Sequence, residues 1–393
     1  MAALAFRSLP ASRTLTGTGA RAFASGALFG AFGNASLDKS PVLTITRGDG
    51  VYVYDDAGKR YLDGLAGLWS TALGNSEPRL VAAAQRQMAT LPYYHNFWGR
   101  RTDKAEELAE RLVGMAAHLG MSQAAFAGSG SEANDTQVKL AWFYHAAKGE
   151  PERRKIISRT KGYHGSTVMA AGVTGLPGLH NGFGLPQEMG FVRHVSTPHF
   201  WKGGLPGETE EEFSSRLAAE VEEVIQREGP GTVAAFIGEP LMGAGGVIPP
   251  PAGYWPKVQE VLKRHGVLLI ADEVVTAFGR LGSMFGCDVF GIRPDMITLA
   301  KALTSAYVPM GACLISREVS EVVGSHANAI GVFGHGYTYG GHPVAAAVAL
   351  EAMSIFEERD IPGQVARLAP AFQGALRELE TGSEIVGEAV RLI

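Results

Sequence analysis

Two apolar runs in this chain end on residues that can do chemistry. Leu268-Leu269-Ile270-Ala271 leads into Asp272-Glu273, and Met296-Ile297-Thr298-Leu299-Ala300 leads into Lys301. In an open α/β sheet, ligands gather beyond the carboxyl ends of the strands, so both side chains fall where a site would be. On spacing alone, an acid and a lysine so placed read equally as a salt bridge and as a catalytic pair. A third stretch offers a phosphate cradle. Gly128-Ser129-Gly130-Ser131 lies between the strand-like Ala124–Ala127 and a helical stretch from Ala133 to Lys148. Amides at a helix N-terminus, with a serine hydroxyl beside them, can hold a dianion. By itself a glycine-serine turn is more often only a turn.

The residues around these points carry a resemblance. Leu269-Ile270-Ala271-Asp272-Glu273-Val274, then Phe278-Gly279-Arg280, then Asp295 with its apolar triplet and Ala300-Lys301-Ala302-Leu303-Thr304-Ser305 resemble the signature of the class III aminotransferases, which use pyridoxal 5′-phosphate. The resemblance implies that Lys301 forms the imine with the cofactor and that Asp272 partners its pyridinium nitrogen. Such a lysine must be partly neutral, which a desolvated, cationic pocket favours. A carboxylate beside the pyridine nitrogen keeps the ring an electron sink. Ser-Gly-Ser-Glu-Ala-Asn-Asp, from Ser129, is similar to the family's phosphate loop and assigns Gly130 and Ser131 to the phosphate. Tyr163, in Tyr163-His164-Gly165, takes the place of the aromatic ring stacked on the cofactor, and Val274 that of its packing partner on the other face. Glu239 resembles a glutamate near the substrate that can pair with a mobile arginine. Trp69, in Gly67-Leu68-Trp69, resembles the aromatic wall of the substrate entrance. Thr338, in Gly336–Pro343, resembles a threonine that reaches the neighbouring subunit's phosphate, which implies a homodimer with shared sites.

Within that class the similarity runs to the plant and algal mitochondrial 4-aminobutyrate transaminases. Leu65–Trp69, Asn134–Leu140, Leu205–Phe213 and Met242–Pro251 carry it. The resemblance implies transamination of 4-aminobutyrate to succinate semialdehyde, with pyruvate or glyoxylate as amino acceptor. Another ω-amino-acid or diamine transaminase would share every motif named here. After Ile385-Val386-Gly387-Glu388 the family reads into an Arg-Gly-x-Gly turn, and Ala389–Ile393 does not. That departure implies an incomplete small domain, and with it a cofactor-binding dimer of little catalysis as a further alternative.

The elements that must position these residues alternate. Thr44–Thr46 and Val51–Tyr54 read as extended, with a turn over Asp55–Lys59. Helical spacing follows over Glu77–Thr90, Asp103–Ala117, Thr209–Arg227 and Pro256–His265. Between the helices stand short apolar runs: Lys155–Ser158, Phe191–Val195, Val233–Ile237, Val267–Ala271, Met296–Leu299 and Ala312–Ile315. Runs of this kind suit strands buried on both faces of a largely parallel sheet. Helical periodicity returns over Val344–Phe356 and Ile361–Leu379. The expected fold is α/β, the fold-type-I arrangement of pyridoxal-phosphate enzymes, with a large domain over 76–335. A smaller α+β domain takes 38–75 and 336–393, its C-terminal part incomplete.

Composition narrows the class further. Of 393 residues, 46% are hydrophobic and 19% charged, with a net charge of -4 and no basic stripe of the kind that binds nucleic acid. No apolar run approaches the roughly 20 residues a membrane helix needs. Cys287 and Cys313 have no metal-ligand spacing and read as buried small residues. His95, His118, His194 and His326 read as ordinary polar residues. Residues 1–37 contain Arg7, Arg13 and Arg21 and no acid before Asp38, a composition that fits a mitochondrial transit peptide.

Overall fold

The computed structural model describes residues 43–384 apart from 187 and 188, together with 386 and 388. The leader expected over 1–37 lies outside the described residues, as does the stretch after Glu388. The strand-like Glu384–Val386 includes Ile385, which also lies outside them. The chain divides into two compact units, 1–48 with 52–62 and 49–51 with 63–393.

In the first, strands β1 (Ile45–Asp49), β2 (Tyr52–Asp55) and β3 (Arg60–Leu62) pair in sequence order. The expected turn is an aspartate turn. Asp55 Oδ1 accepts the amides of Ala57 at 3.0 Å and Lys59 at 2.8 Å, and Oδ2 accepts the Tyr61 hydroxyl at 2.8 Å.

The second unit is built on a seven-stranded sheet. Its strands are β4 (Met121–Ala127), β5 (Lys155–Arg159), β6 (Val192–Val195), β7 (Val233–Gly238), β8 (Leu268–Asp272), β9 (Met296–Leu299) and β10 (Gly311–Ser316). Their spatial order is β4-β10-β9-β8-β7-β5-β6. All the predicted runs are strands, and β5 to β9 are mutually parallel. β10 alone runs against both its neighbours. The connection from β9, residues 300–310, is shorter than the dozen or more residues a helical crossover needs, so the chain returns antiparallel.

Strand parity decides what faces the site. Leu269, Ala271, Ile297 and Leu299 enter one core, with the helices Pro78–Thr90, Asp103–Met115, Glu210–Glu228, Tyr254–His265 and Pro343–Glu358. Leu268, Ile270, Met296, Ala235 and Ile237 enter another, against the helix Gly130–Ala147 and Val319 and Val323 of Arg317–Ile330. Side chains alternate between faces. Asp272, Thr298 and Glu239 continue the second set, so the polar ends of β8, β9 and β7 turn toward the helix Gly130–Ala147. That helix begins three residues earlier than its apolar spacing predicts. Ser129 is its N-cap, and its side chain accepts the Glu132 amide. The Ser-x-x-Glu spacing is a capping signal, although Glu132 Oε2 reaches back to the Gly128 amide at 2.7 Å instead of to Ser129.

Both cysteines are free and buried. Among the described residues no helix is long and apolar enough to cross a membrane, and no His/Cys/Asp/Glu group is arranged to hold a metal ion.

Candidate active site

A cavity of about 380 Å³ opens at the carboxyl ends of the parallel strands. Gly130, Ser131, Tyr163, Glu239, Asp272, Val274 and Lys301 all line it. Residues scattered over the sequence thus converge because the sheet delivers them to one edge.

Lys301 follows β9 after a single residue, Ala300. Its φ is +49°, a left-handed conformation that non-glycine residues rarely adopt and that costs of order 1–3 kcal/mol. Strain of this kind clusters where a side chain must be aimed. Burial lowers the pKa of the Lys301 amine, against the opposing pull of Asp272 and Glu239, and the Arg280 charge lowers it further. The ammonium Nζ stands 5.2 Å from the centroid of the Trp69 ring. The segment that follows Trp69 is tied to the loop after Lys301. The Leu73 amide donates to Ser305 Oγ at 3.0 Å, and the Tyr307 hydroxyl donates to the Gly74 carbonyl at 3.0 Å.

Asp272 is 3% exposed and its carboxylate is heavily hydrogen-bonded. Oδ2 accepts from Asn134 Nδ2 at 2.8 Å and meets His164 Nδ1 at 2.9 Å; Oδ1 accepts the Val274 amide at 3.1 Å. A carboxylate offers about four acceptor positions, so one is left over on Oδ1. Glu239 is also buried. Its Oε1 accepts the Tyr163 amide at 3.1 Å and its Oε2 the Gly243 amide at 2.7 Å. Burial raises its pKa, and Asp272 adds to that while His164 opposes it. Arg159, itself buried, donates to the Glu239 carbonyl at 2.5 Å and anchors the end of β7.

The phosphate cradle has a steric signature. A Cβ on Gly130 would stand 3.0 Å from Val274 Cγ2 and 3.4 Å from Ala300 Cβ. The first four amides of a helix lack intrahelical partners. Here Ser129 takes those of Glu132 and Ala133, which leaves Gly130 and Ser131 without one among the described residues. Ser131 Oγ accepts the Ser166 amide at 3.1 Å. Gly165, at φ +132°, lets this approach happen, because a Cβ there would overlap the Ser131 side chain. The desolvated amine, the buried carboxylate and the glycine-lined amide cradle match the aldehyde, ring nitrogen and phosphate of pyridoxal phosphate.

Thr338 is not brought to this cavity. It is exposed, and its carbonyl accepts the Tyr93 hydroxyl at 2.7 Å. Sequence reasoning missed Asn134 and His164 as ligands of Asp272, and Thr298 behind Asn134. One signal was present for Thr298: it is the only polar residue in the run Met296–Leu299.

Comparison with known proteins agrees with this geometry. The aminotransferase class-III family matches residues 34–392. Gamma-aminobutyrate transaminase 1, mitochondrial, of Oryza sativa subsp. japonica is 56% identical over 353 residues, covering 90% of this chain and 68% of the relative. Gamma aminobutyrate transaminase 3, chloroplastic, of Solanum lycopersicum is 55% identical over 90% of this chain and 67% of the relative. The omega transaminase from Pseudomonas jessenii, solved in complex with PMP, is 49% identical with a TM-score of 0.89. That alignment covers 92% of this chain and 79% of the solved one. The chain is a class III aminotransferase of the fold-type-I architecture, and its cofactor is pyridoxal 5′-phosphate.

Proposed function

We propose that this chain transfers the amino group of 4-aminobutyrate to pyruvate or glyoxylate, as a homodimer in the mitochondrial matrix. The observation that carries the reading is the convergence of a desolvated amine, a buried carboxylate and a free-amide cradle in one cavity. Relatives named as gamma-aminobutyrate transaminases, at 54–56% identity, support the donor. Their mitochondrial names and the arginine-bearing, acid-free N-terminal segment support the address.

In this reading Gly130 and Ser131 hold the phosphate through amides and hydroxyl. Tyr163 and Val274 pack on the two faces of the ring, and Asp272 holds a proton on its nitrogen. When bound, the cofactor supplies an aldehyde that captures an amine and a ring that draws electrons from the adjoining carbon. Lys301 is the covalent anchor. Once released, its Nζ takes the proton from the substrate carbon that bears the nitrogen, a task suited to an amine made partly neutral by burial. Trp69 walls the entrance and Glu239 faces the substrate end. Thr338, exposed on its own subunit, serves the neighbouring one. Residues 76–335 form the cofactor domain, and 38–75 with 336–393 the smaller one. The net exchange converts 4-aminobutyrate and a 2-oxo acid into succinate semialdehyde and the matching amino acid.

The test is a turnover panel: 4-aminobutyrate and a diamine as donors, each against pyruvate, glyoxylate and 2-oxoglutarate. The reading expects 4-aminobutyrate with pyruvate or glyoxylate to have the highest kcat/KM. A preference for the diamine would transfer the assignment to a different ω-transaminase specificity.

A further inference from the structure

We propose that Thr298, acting through Asn134, is a positioning residue that fixes how the Asp272 carboxylate presents itself to the cofactor pocket. The inference rests on Asp272 being the partner of the ring nitrogen.

Four side chains make the case, all of them 3% exposed or less. Thr298 Oγ1 donates to Asn134 Oδ1 at 2.6 Å. Asn134 Nδ2 then donates both its protons, one to the His164 carbonyl at 2.7 Å and one to Asp272 Oδ2 at 2.8 Å. An asparagine amide can sit either way round, and its surroundings decide which. Here the flipped amide would aim an oxygen at two acceptors and its NH₂ group at the threonine hydroxyl. The two acceptors set the orientation, since a hydroxyl could equally accept from an NH₂ group, and the Thr298 hydroxyl, donating to Oδ1, holds the amide in it.

The topology explains why these residues meet. Thr298 is the direct ladder partner of Asp272, so both face the helix that carries Asn134. A valine would fill the same volume in a strand buried on both faces, and there a hydroxyl is costly unless bonded. Among the described residues the hydroxyl bonds to Asn134 alone. The consequence falls on Asp272. With Oδ2 occupied by Asn134 and His164, and Oδ1 by the Val274 amide alone, the open acceptor position is confined to Oδ1. His164 is a poor substitute for the clamp, since among the described residues its buried Nε2 has no hydrogen-bond partner to brace the ring from behind.

The experiment uses the cofactor-loaded enzyme with Thr298→Val, Thr298→Ser, Asn134→Ala and the double variant Thr298→Val/Asn134→Ala, with Asp272→Asn as reference. The readouts are the visible absorption band of the bound cofactor, and kcat and KM for the amine half-reaction. Loosening one charge-assisted contact is expected to lower kcat about tenfold in Thr298→Val, with KM within about twofold. The absorption band should move in the same direction as in Asp272→Asn. Thr298→Ser should restore both. In the Asn134→Ala background, Thr298→Val should cost no more than about twofold, the non-additivity expected of two groups in one chain of contacts. A Thr298→Val enzyme with parental band and kcat overturns the clamp, as does a serine variant no better than valine or full additivity in the double variant. If Asp272→Asn itself leaves the band and kcat unchanged, the assignment of Asp272 fails, and the clamp with it.

Discussion

Replacing Asp272 by asparagine keeps the shape of the side chain and removes its charge. In the parent, Oδ2 faces two donors, Asn134 Nδ2 and His164 Nδ1, and Oδ1 faces the Val274 amide. Asparagine has one oxygen. The cheaper placement keeps that oxygen toward Asn134 and His164 and turns the NH₂ group against the Val274 amide. One charge-assisted hydrogen bond is lost, at about 1.5–3 kcal/mol. The two that remain become neutral-acceptor bonds, roughly half as strong as before. The folded protein should therefore lose about 3–6 kcal/mol in stability by these same terms. The loss in rate should be larger, because the new NH₂ donor meets the ring nitrogen where an acceptor is needed, and the electron sink is lost. Urea unfolding gives the first number and single-turnover kinetics with 4-aminobutyrate the second. A variant that folds, binds cofactor and turns over within threefold of the parent would refute the assignment of Asp272.

Gly130→Ala should lower pyridoxal-phosphate affinity by roughly one to two powers of ten, because the added methyl crowds Val274 and Ala300 and costs about 1–3 kcal/mol in overpacking. Gly114→Ala, where a Cβ meets nothing within 4 Å, should instead gain about 0.5–1 kcal/mol and leave affinity alone; fluorescence titration and thermal melting separate the two. Lys301 titrates below its ordinary range in the folded protein because it is buried. Between that lowered value and the 10.5 of a free amine the unfolded chain binds more protons, so cofactor-free stability should rise with pH across that window. Lys301→Met should lack this rise, and melting curves from pH 7 to 10 that stay parallel for parent and variant would contradict it. Thr338→Ala mixed with Lys301→Ala should recover part of the lost activity, since hybrid dimers hold one intact site; no recovery after demonstrated subunit exchange would argue against a shared site.

Much of the scaffold was legible because its strands are short apolar runs bounded by polar residues. Met296–Leu299 is a strand with the predicted ends, and Lys301 sits where such a strand releases the chain. The direction of β10 was less obvious, since its apolar run looks like any other; only the short connection from β9 distinguishes it. The start of the helix Gly130–Ala147 was read late because Gly130, Ser131 and Glu132 carry no apolar signal, and the capping serine, not periodicity, marks the boundary. Lys301, Asp272 and the glycine cradle were readable from motif and strand position together. Asn134, His164 and Thr298 were not, because each meets Asp272 or its partner only across the folded sheet. Strand parity predicts which face Asp272 and Thr298 share, but which helix residue lies over them depends on packing that no local pattern encodes. Thr338 shows the opposite case, a motif residue that the structure leaves exposed and away from its own chain's cavity.

Lys301 is proposed as the residue that holds the cofactor covalently. Borohydride reduction of the pyridoxal-phosphate-loaded protein, followed by digestion and mass spectrometry, reads this directly. A pyridoxyl label is expected on the peptide containing Ala300-Lys301-Ala302, and none on a folded Lys301→Ala variant. A label on any other lysine, or one that persists in that variant, would contradict it.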